Sequence, residues 1–405
     1  MKRSKQLYIF TATYPFGLGE EFVSKELNEL SKYYEKIIVV PQANPNNVSR
    51  WMPQNAELNL CLIEAGKNGK FKFLLFSPFL YLRILFTELF YSGKASFILK
   101  NIRNFSYTIS IAIKWSKLFG HINSANKSDF YSVWNDDAAL LLSILRSKNK
   151  IQNFSIRLHG YDLFDERRSG GYMPYRYFIF KMAKHIFVLS KAGYSYIRQK
   201  KVFEEKLILN YSGIYDRGIN PAVEEGKITM VSCSNLIPIK RVHKIVEALS
   251  LLEFQVDWYH FGEGPERANI ENEIVNLPKH IHAKLMGHIE NDKLLEFYSR
   301  VPIQLFIHLS ETEGLGMALV EAQSFGIPVL ACDVGGVSEV VDNELGILIP
   351  VDSDARSISN EISLFIASNR GNQVFRDKVR KKCLETFGAE HNYKYFYTML
   401  SSEKS

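Results

Sequence analysis

Two glutamates, Glu313 and Glu321, flank a Gly-Leu-Gly turn in the stretch ETEGLGMALVEAQSFGIPVLACDVGG, which runs from Glu311 to Gly336. The run IQLFIHLS precedes them and reads as a strand. Gly314 and Gly316 carry no Cβ, so a ligand can come close to the backbone amides from Gly314 through Leu315 and Gly316 to Met317. A helix is expected to start near Met317 and to end at Phe325, ahead of Gly326 and Pro328. Its first N–H groups and the positive end of its dipole would make an anion site. Two carboxylates beside an anion repel it unless the ligand also offers hydroxyls, which carboxylates accept as hydrogen-bond donors. A diphosphate with a sugar on each side, a nucleotide sugar, meets both demands.

Other residues sit where chemistry is done in α/β proteins. Lys240 follows a strand and Pro238 in VSCSNLIPIKRVHKIVEAL and opens a helix. His159 ends the strand of NFSIRLHGYDLF, just before Gly160, and open α/β sheets bind ligands at such carboxyl ends. Arg157 and Asp162 lie close by and could contact a substrate. Gly17 and Gly19 follow the first strand in TATYPFGLGEEF. HFGEGPERA lacks the third glycine of a dinucleotide fingerprint, because Arg267 stands there, and it reads as structural. The Asp352-x-Asp354 pair precedes an apolar-periodic stretch, so Asp352 or Ser353 is expected to cap a helix and no metal site is expected.

These residues need a frame of strands and helices. Short runs rich in β-branched and aromatic residues (QLYIF, KIIVVP, NFSIRLHG, HIFVLS, KLILNYS, KITMVSCS, QVDWYHFG, IQLFIHLS, IPVLACD) alternate with helical segments. Val242, Ile245, Val246, Leu249 and Leu252 mark one helix face. Alternation of this kind predicts parallel sheets covered on both faces. A chain of 405 residues suggests two domains, with the boundary in the polar stretch YDRGINPAVEEGK. Residues 1–200 carry 29 Lys and Arg against 14 Asp and Glu, and the remainder 21 against 29. A basic half suggests an anionic surface or partner, or drift in surface composition. The four cysteines have neither C-x-x-C nor zinc spacing and read as buried thiols. The basic start MKRSKQLYIF reads as a first strand rather than an export signal, which makes the cytoplasm the expected location. FKFLLFSPFLYLRILFTELFYS, residues 71–92, is interrupted by Lys72, Pro78, Arg83 and Glu88, which argues against a membrane span. It is either a buried helix or one lying in the membrane interface, with Lys94, Lys100, Arg103, Lys114 and Lys117 following.

The stretch ETEGLGMALVEAQSFGIPVLACDVGGVSEVV resembles the signature of retaining glycosyltransferases of family 4, in which two glutamates enclose seven residues, as Glu313 and Glu321 do. FGIPVLACDVGG and ELGILIP match as well, and the resemblance is dense from about Gly226 to Ile349. It implies the GT-B fold: α/β, two Rossmann-like domains with parallel sheets facing an interdomain cleft, and a last helix crossing back to the N-terminal domain. The expected domains are an acceptor-binding domain at 1–218, a nucleotide-sugar domain at 219–385 and the returning helix at 386–405, which contains EHNYKYFYTML.

The resemblance implies roles. Glu313 would hold the donor sugar and His159 would reach it from the other domain. Glu321 would take the ribose hydroxyls. Lys240 would meet the diphosphate, with Arg241 beside it, because Asn235 stands where the family has an arginine. Gly17 and Gly19 would lie against the donor phosphates and the acceptor, and the amides at Gly314, Leu315, Gly316 and Met317 would face the diphosphate. The implied activity is retaining, metal-independent and free of cofactors. A UDP- or GDP-sugar would be the donor, and a lipid-linked saccharide at the inner membrane face the acceptor, as in bacterial surface polysaccharide synthesis. The remaining alternatives are a nucleotide-sugar epimerase or glycoside phosphorylase on the same frame, and a non-catalytic sugar-nucleotide-binding subunit. No nucleic-acid motif is present.

Overall fold

Strand-forming runs and the helices between them build two sheets in the computed structural model, which describes residues 4–17, 20–46, 48–68, 72–75, 77–119, 128–222, 226, 228–342, 344–368 and 372–402. The chain divides into two units. Residues up to Tyr211, joined by those from Asn392 onward, form one, and Ser212–His391 form the other.

The first unit holds β1 (Ser4–Thr11), β2 (Tyr34–Pro41), β3 (Ala56–Leu58), β4 (Ser128–Ser132), β5 (Ser155–Leu158), β6 (His185–Val188) and β7 (Leu207–Leu209), in the order β3-β2-β1-β4-β5-β6-β7. The second holds β8 (Ile228–Cys233), β9 (Val256–Phe261), β10 (Ile281–Gly287), β11 (Leu305–His308), β12 (Val329–Cys332) and β13 (Gly346–Ile349), in the order β10-β9-β8-β11-β12-β13. Every pairing of these strands is parallel. In both sheets the order reverses between two neighbours, β1 and β4 in one and β8 and β11 in the other. Ligands of open parallel sheets bind at the carboxyl ends beside such a reversal.

β5, β11 and β12 are buried along their whole length, as strands covered on both faces must be. Four strands lie outside the apolar runs read from the sequence: β3, β4, β10 and β13. β10 is an edge strand whose inner residues alternate between exposed and half-buried, so His282 and Lys284 break its apolar run. The helix cap in VDSDARS is Asp354, whose Oδ1 accepts the Ser357 N–H at 2.8 Å. This corrects the expectation of Asp352 or Ser353 by one to two residues. All four cysteines are free thiols.

Among the described residues no helix is long and apolar enough to cross a membrane. Pro78–Tyr91 is a helix that buries Ile84, Thr87 and Glu88 against the N-terminal unit. Its other side exposes Phe79, Leu82, Phe86 and Phe90.

The C-terminal segment packs on the N-terminal unit, of which it is part. Tyr397 stacks on Tyr33 at 4.4 Å, and Phe396 meets Tyr131 and Phe187 edge-on. Phe396 also lies 4.1 Å from the guanidinium of Arg157. Arg157 is fully buried. It donates to Glu26 Oε2 at 2.5 Å and to Asn210 Oδ1, and Asn210 Nδ2 in turn holds the Asn392 carbonyl at 3.0 Å. Arg157 is therefore a core strut, not the substrate contact considered from its position beside His159. Removing one partner of a buried ion pair strands the other charge. Arg157→Leu is expected to cost about 3–5 kcal/mol, read as a lower urea midpoint, and Glu26→Leu added to it should restore much of the loss.

Candidate functional site

The reversal at β8 and β11 brings two loops side by side that lie far apart in sequence. After β8 the chain runs to one turn of 3-10 helix at Pro238–Lys240, passes through Arg241 in the left-handed region (φ 51°), and enters the helix Val242–Leu249. After β11 it runs to Gly316 (φ 88°) and enters the helix Met317–Ser324. Glu311 N–H donates to the Ile239 carbonyl at 3.0 Å, which joins the loops. Arg241 fastens them from below. Its guanidinium donates to Leu309 O at 2.7 Å and Val351 O at 2.6 Å, and lies 3.1 Å from Cys332 Sγ. The expectation that Arg241 assists Lys240 at a ligand is thereby corrected: all three of its nitrogens serve the ends of β11, β12 and β13.

Glu313 is the centre of this region and is only 14% exposed. One oxygen, Oε1, takes hydrogen bonds from Lys240 Nζ and from His308 Nε2, the latter at 2.8 Å. Burial alone would push its carboxyl up. The His308 hydrogen bond and the Lys240 charge outweigh burial and hold it well below the usual carboxylate range. Gly335 lies directly beneath. It has φ 57°, and an added Cβ would fall inside the van der Waals radius of the Glu313 carbonyl oxygen. The first glycine of the DVGG pair thus lets the segment after β12 pass under Glu313.

Glu321 sits in the second turn of the helix Met317–Ser324 and is buried. It accepts from Asn291 Nδ2 at 2.9 Å. Asn291 opens another helix, Asn291–Arg300, and its Oδ1 is buried without a hydrogen-bond partner. The side chain of Leu315 is buried, so this residue offers a ligand only its backbone. Met317 is the first residue of the helix, where N–H groups have no partner within it. Gly262 and Gly264 of HFGEGP press on the backbone of Ser234 and Leu236, with no room for a Cβ, and so shape the Lys240 loop from behind.

In the N-terminal unit, Gly17 (φ 74°) donates its N–H to Asn46 Oδ1 at 3.0 Å. Gly19 lies outside the described residues. The amides after β1 are already engaged: Glu20 accepts from Ala12, Thr13 and Tyr14 N–H at 2.7–2.8 Å and from the Trp134 indole at 2.6 Å. His159 follows β5, with ring centroids of Phe22 and Trp134 each 4.5 Å from its own. Both of its ring nitrogens are buried without a partner in hydrogen-bond geometry. Burial, helped by the charge of Arg157, pushes His159 down to about 3, so its imidazole is neutral. Asp162, the other neighbour considered, is buried and accepts backbone N–H groups from His159 at 2.6 Å and Asn135 at 2.7 Å.

The structure therefore joins Lys240 to Glu313 and sets Glu321 on the helix that follows. His308, Asn291 and Gly335 escaped sequence reasoning. His308 stands five residues before Glu313 at a strand end, a signal that was available. Asn291 comes from a distant helix and had none. Among the described residues no group of three or more His, Cys, Asp or Glu could hold a metal ion.

Residues 219–382 match the model of the family Glycosyl transferases group 1. The chain is similar to the N-acetyl-alpha-D-glucosaminyl L-malate synthase of Bacillus anthracis, 26% identical over 171 residues that make up 42% of this chain and 44% of that protein. It spans less than half the length of the curated relatives it matches. Over nearly its whole length it is similar in fold to Anabaena Alr3699/HepE in complex with UDP-glucose, with a TM-score of 0.68 at 15% identity, covering 98% of this chain and 99% of that one. It is likewise similar to the lipopolysaccharide outer core galactosyltransferase WaaB, with a TM-score of 0.66 at 14% identity, covering 99% of this chain and all of that one. These likenesses show the fold: two α/β units with parallel sheets, the GT-B type.

The lowered Glu313 carboxyl has a consequence for stability. A carboxylate favoured in the folded chain contributes fully above its unfolded value of about 4.5, and the contribution drains away as pH falls towards the native value. Glu313→Gln should lower the melting temperature at pH 7. The gap to the parent should narrow as the pH falls below about 4.5, in paired thermal scans across that window.

Proposed function

We propose that this chain is a retaining glycosyltransferase that moves a sugar from a UDP- or GDP-sugar to a lipid-linked saccharide in bacterial surface polysaccharide synthesis. The observation that carries the reading is the ionised Glu313, gripped by Lys240 and His308 beside the amide-rich start of the helix Met317–Ser324. A cation, a helix start and two carboxylates in one strand-end region suit a diphosphate flanked by hydroxyls. The match of residues 219–382 to Glycosyl transferases group 1 supports it, as does the UDP-glucose held by one protein of the same fold.

In this reading Lys240 is shared between Glu313 and the donor diphosphate. Its ammonium, with the amides at Gly316 and Met317, meets the charge that grows on the leaving group, the usual main source of catalytic stabilisation. The amides of Gly314 and Leu315 complete that backbone surface. Glu313 accepts from the sugar hydroxyls and sets the anomeric carbon, and His308 holds the carboxylate in line. Glu321, steadied by Asn291, takes the ribose hydroxyls. From the N-terminal unit, His159 is proposed to meet the sugar as a neutral imidazole, and the loop of Gly17 and Gly19 to lie near the phosphates. The bond from the anomeric carbon to the phosphate oxygen breaks, with its electron pair leaving on the diphosphate. The acceptor oxygen bonds to the same face, and its proton passes to a phosphate oxygen. No cofactor or metal ion enters this scheme.

The membrane side of the proposal rests on the helix Pro78–Tyr91. Phe79 and Phe90 are 86% and 81% exposed, in line with Leu82 and Phe86; Arg83 of the same helix and Lys94, Lys100 and Arg103, which follow it in sequence, are exposed as well. An exposed apolar stripe with exposed cations in and after its helix suits the interface of an anionic bilayer, so peripheral attachment to the inner membrane face is proposed.

Nucleoside diphosphates should raise the melting temperature of the wild type, and Lys240→Ala should remove most of that shift. Glu313→Ala should lower kcat by about two to three orders of magnitude with a modest loss of nucleotide affinity. Wild-type turnover in that variant would remove Glu313 from the site. Turnover of donor without acceptor, faster than slow hydrolysis, would point to an epimerase instead. Phe79→Ser with Phe90→Ser should reduce co-sedimentation with anionic vesicles, and binding that ignores vesicle charge would count against electrostatic docking.

A further inference from the structure

The N-terminal unit contains a cavity of about 660 Å³ that none of the roles above uses. That volume is typical of sites for small organic ligands. One end is formed by residues just past the carboxyl ends of β1, β2 and β4: Thr13, Gln42 and Asn135. The cavity therefore sits at the strand-order reversal of this sheet, where parallel α/β units bind ligands. The side walls are different in kind. Phe97 and Ile98 come from the helix Ala95–Lys100, Phe105 from the helix Ile102–Leu118, and Tyr172 and Met173 from the segment before the helix Arg176–Met182.

Asn135 is the informative residue. It is fully buried, it lines the cavity, and both its Nδ2 and its Oδ1 lack a hydrogen-bond partner. Two orphaned polar atoms are costly unless something satisfies them. A hydroxyl does both at once, because it donates to Oδ1 and accepts from Nδ2. The cations that line the cavity, Lys67 and Arg168, share its lining with two acids, Asp136 and Asp137. Lys67 faces Asp137 at 3.7 Å, and the guanidinium of Arg168 stacks 3.6 Å above the Tyr161 ring. An anionic ligand such as a nucleotide therefore finds little uncompensated charge here. A polar end, and side walls in which Phe97, Ile98, Phe105, Tyr172 and Met173 are joined by Asn101, Asn104 and Thr108, fit an amphiphile.

The cavity is also fastened to His159. Asp162 accepts the backbone N–H of both Asn135 and His159, and Trp134, the neighbour of Asn135, packs on the imidazole. The polar end of the cavity and the proposed sugar contact are thus one rigid assembly. In addition, the short helix that gives Phe97 and Ile98 to the cavity wall exposes Leu99 and Lys100 on its other side. It links the cavity to the surface proposed to lie on lipid.

We infer that this cavity is the acceptor site, and that the acceptor is a hydroxyl-bearing head joined directly to an apolar body, either an alkyl chain or an aromatic ring. The inference rests on the glycosyltransferase reading, since that reading is what makes the ligand an acceptor. The head lies against Asn135 and Thr13, and the apolar body lies between Phe97, Phe105 and Tyr172. A saccharide without an apolar substituent leaves those walls wet and binds weakly.

The test uses the full chain and three probes: octyl, phenyl and methyl β-glucoside, each titrated calorimetrically below any micelle concentration. Octyl or phenyl glucoside should bind at least about tenfold tighter than methyl glucoside, and the better of the two identifies the body as alkyl or aromatic. Asn135→Leu should weaken that binding about tenfold or more while leaving the melting temperature of the free protein unchanged or higher, because it removes orphaned polar atoms. A purely structural asparagine would instead lower it. Ala43→Phe, which fills the cavity from a different segment, should abolish binding of the better probe. Nucleoside diphosphate shifts, read through Lys240 in the other unit, should persist in both variants. Equal affinity for all three glucosides, or octyl and phenyl binding that survives both substitutions, overturns the inference. Loss of the nucleotide shift in the wild type would overturn the glycosyltransferase reading instead.

Discussion

A carboxylate that is nearly out of water must be compensated, and in this chain the compensation of Glu313 organises the C-terminal unit. Its two donors come from different strand ends: His308 closes β11 and Lys240 follows β8. They meet at one oxygen only because the sheet places β8 beside β11, with β9 and β10 turned the other way. The approach also needs the Arg241 staple and a glycine at 335, where any side chain would push Glu313 off its seat. Each part is ordinary alone. Together they hold an ionised acid, a cation and a helix start at one end of one sheet.

Carboxylates recur at the strand ends of the N-terminal unit with a different purpose. Glu20 and Asp162 accept mainly from backbone N–H groups. Such donors are fixed by the fold, so these acids tie loops together and leave little for a ligand. Glu313 accepts from side chains, and one of them is a lysine whose ammonium can move on four rotatable bonds to a phosphate and still neutralise the acid. The type of donor, more than burial, sets Glu313 apart from these structural acids.

Much of this was legible from residue order, and what was missed has physical causes. Apolar runs marked most strands because parallel sheets bury both faces, but the edge strand β10 keeps His282 and Lys284 and so breaks its run. The region of Lys240, Glu313 and Glu321 was legible because a lysine, two glutamates and two glycines all lie at strand-to-helix turns. Arg157 and Arg241 were misread for a common reason: an arginine near a strand end looks alike in sequence whether its guanidinium meets a substrate or groups of the protein itself. Asn291 and Asn135 were silent, because a partner on a distant element and an orphaned amide are properties of packing. Gly335 was visible within DVGG, but the carbonyl it must clear is brought there only by the fold.

Helix Pro78–Tyr91 shows where composition stops being informative and contact begins. Apolar residues surround it, so periodicity could not choose an inner face. The choice is made by Glu88, which is buried and finds the Tyr172 hydroxyl at 2.6 Å and the Phe178 N–H at 2.8 Å. Burial pushes its carboxyl up to about 7 despite these donors. With Glu88 and Thr87 turned inward, Phe79, Leu82, Phe86 and Phe90 have to turn outward, the reverse of the usual distribution on a water-facing helix. A contiguous aromatic stripe of this kind is disfavoured in water and stabilised by an apolar covering. The buried acid is therefore what fixes which face of this helix is turned outward.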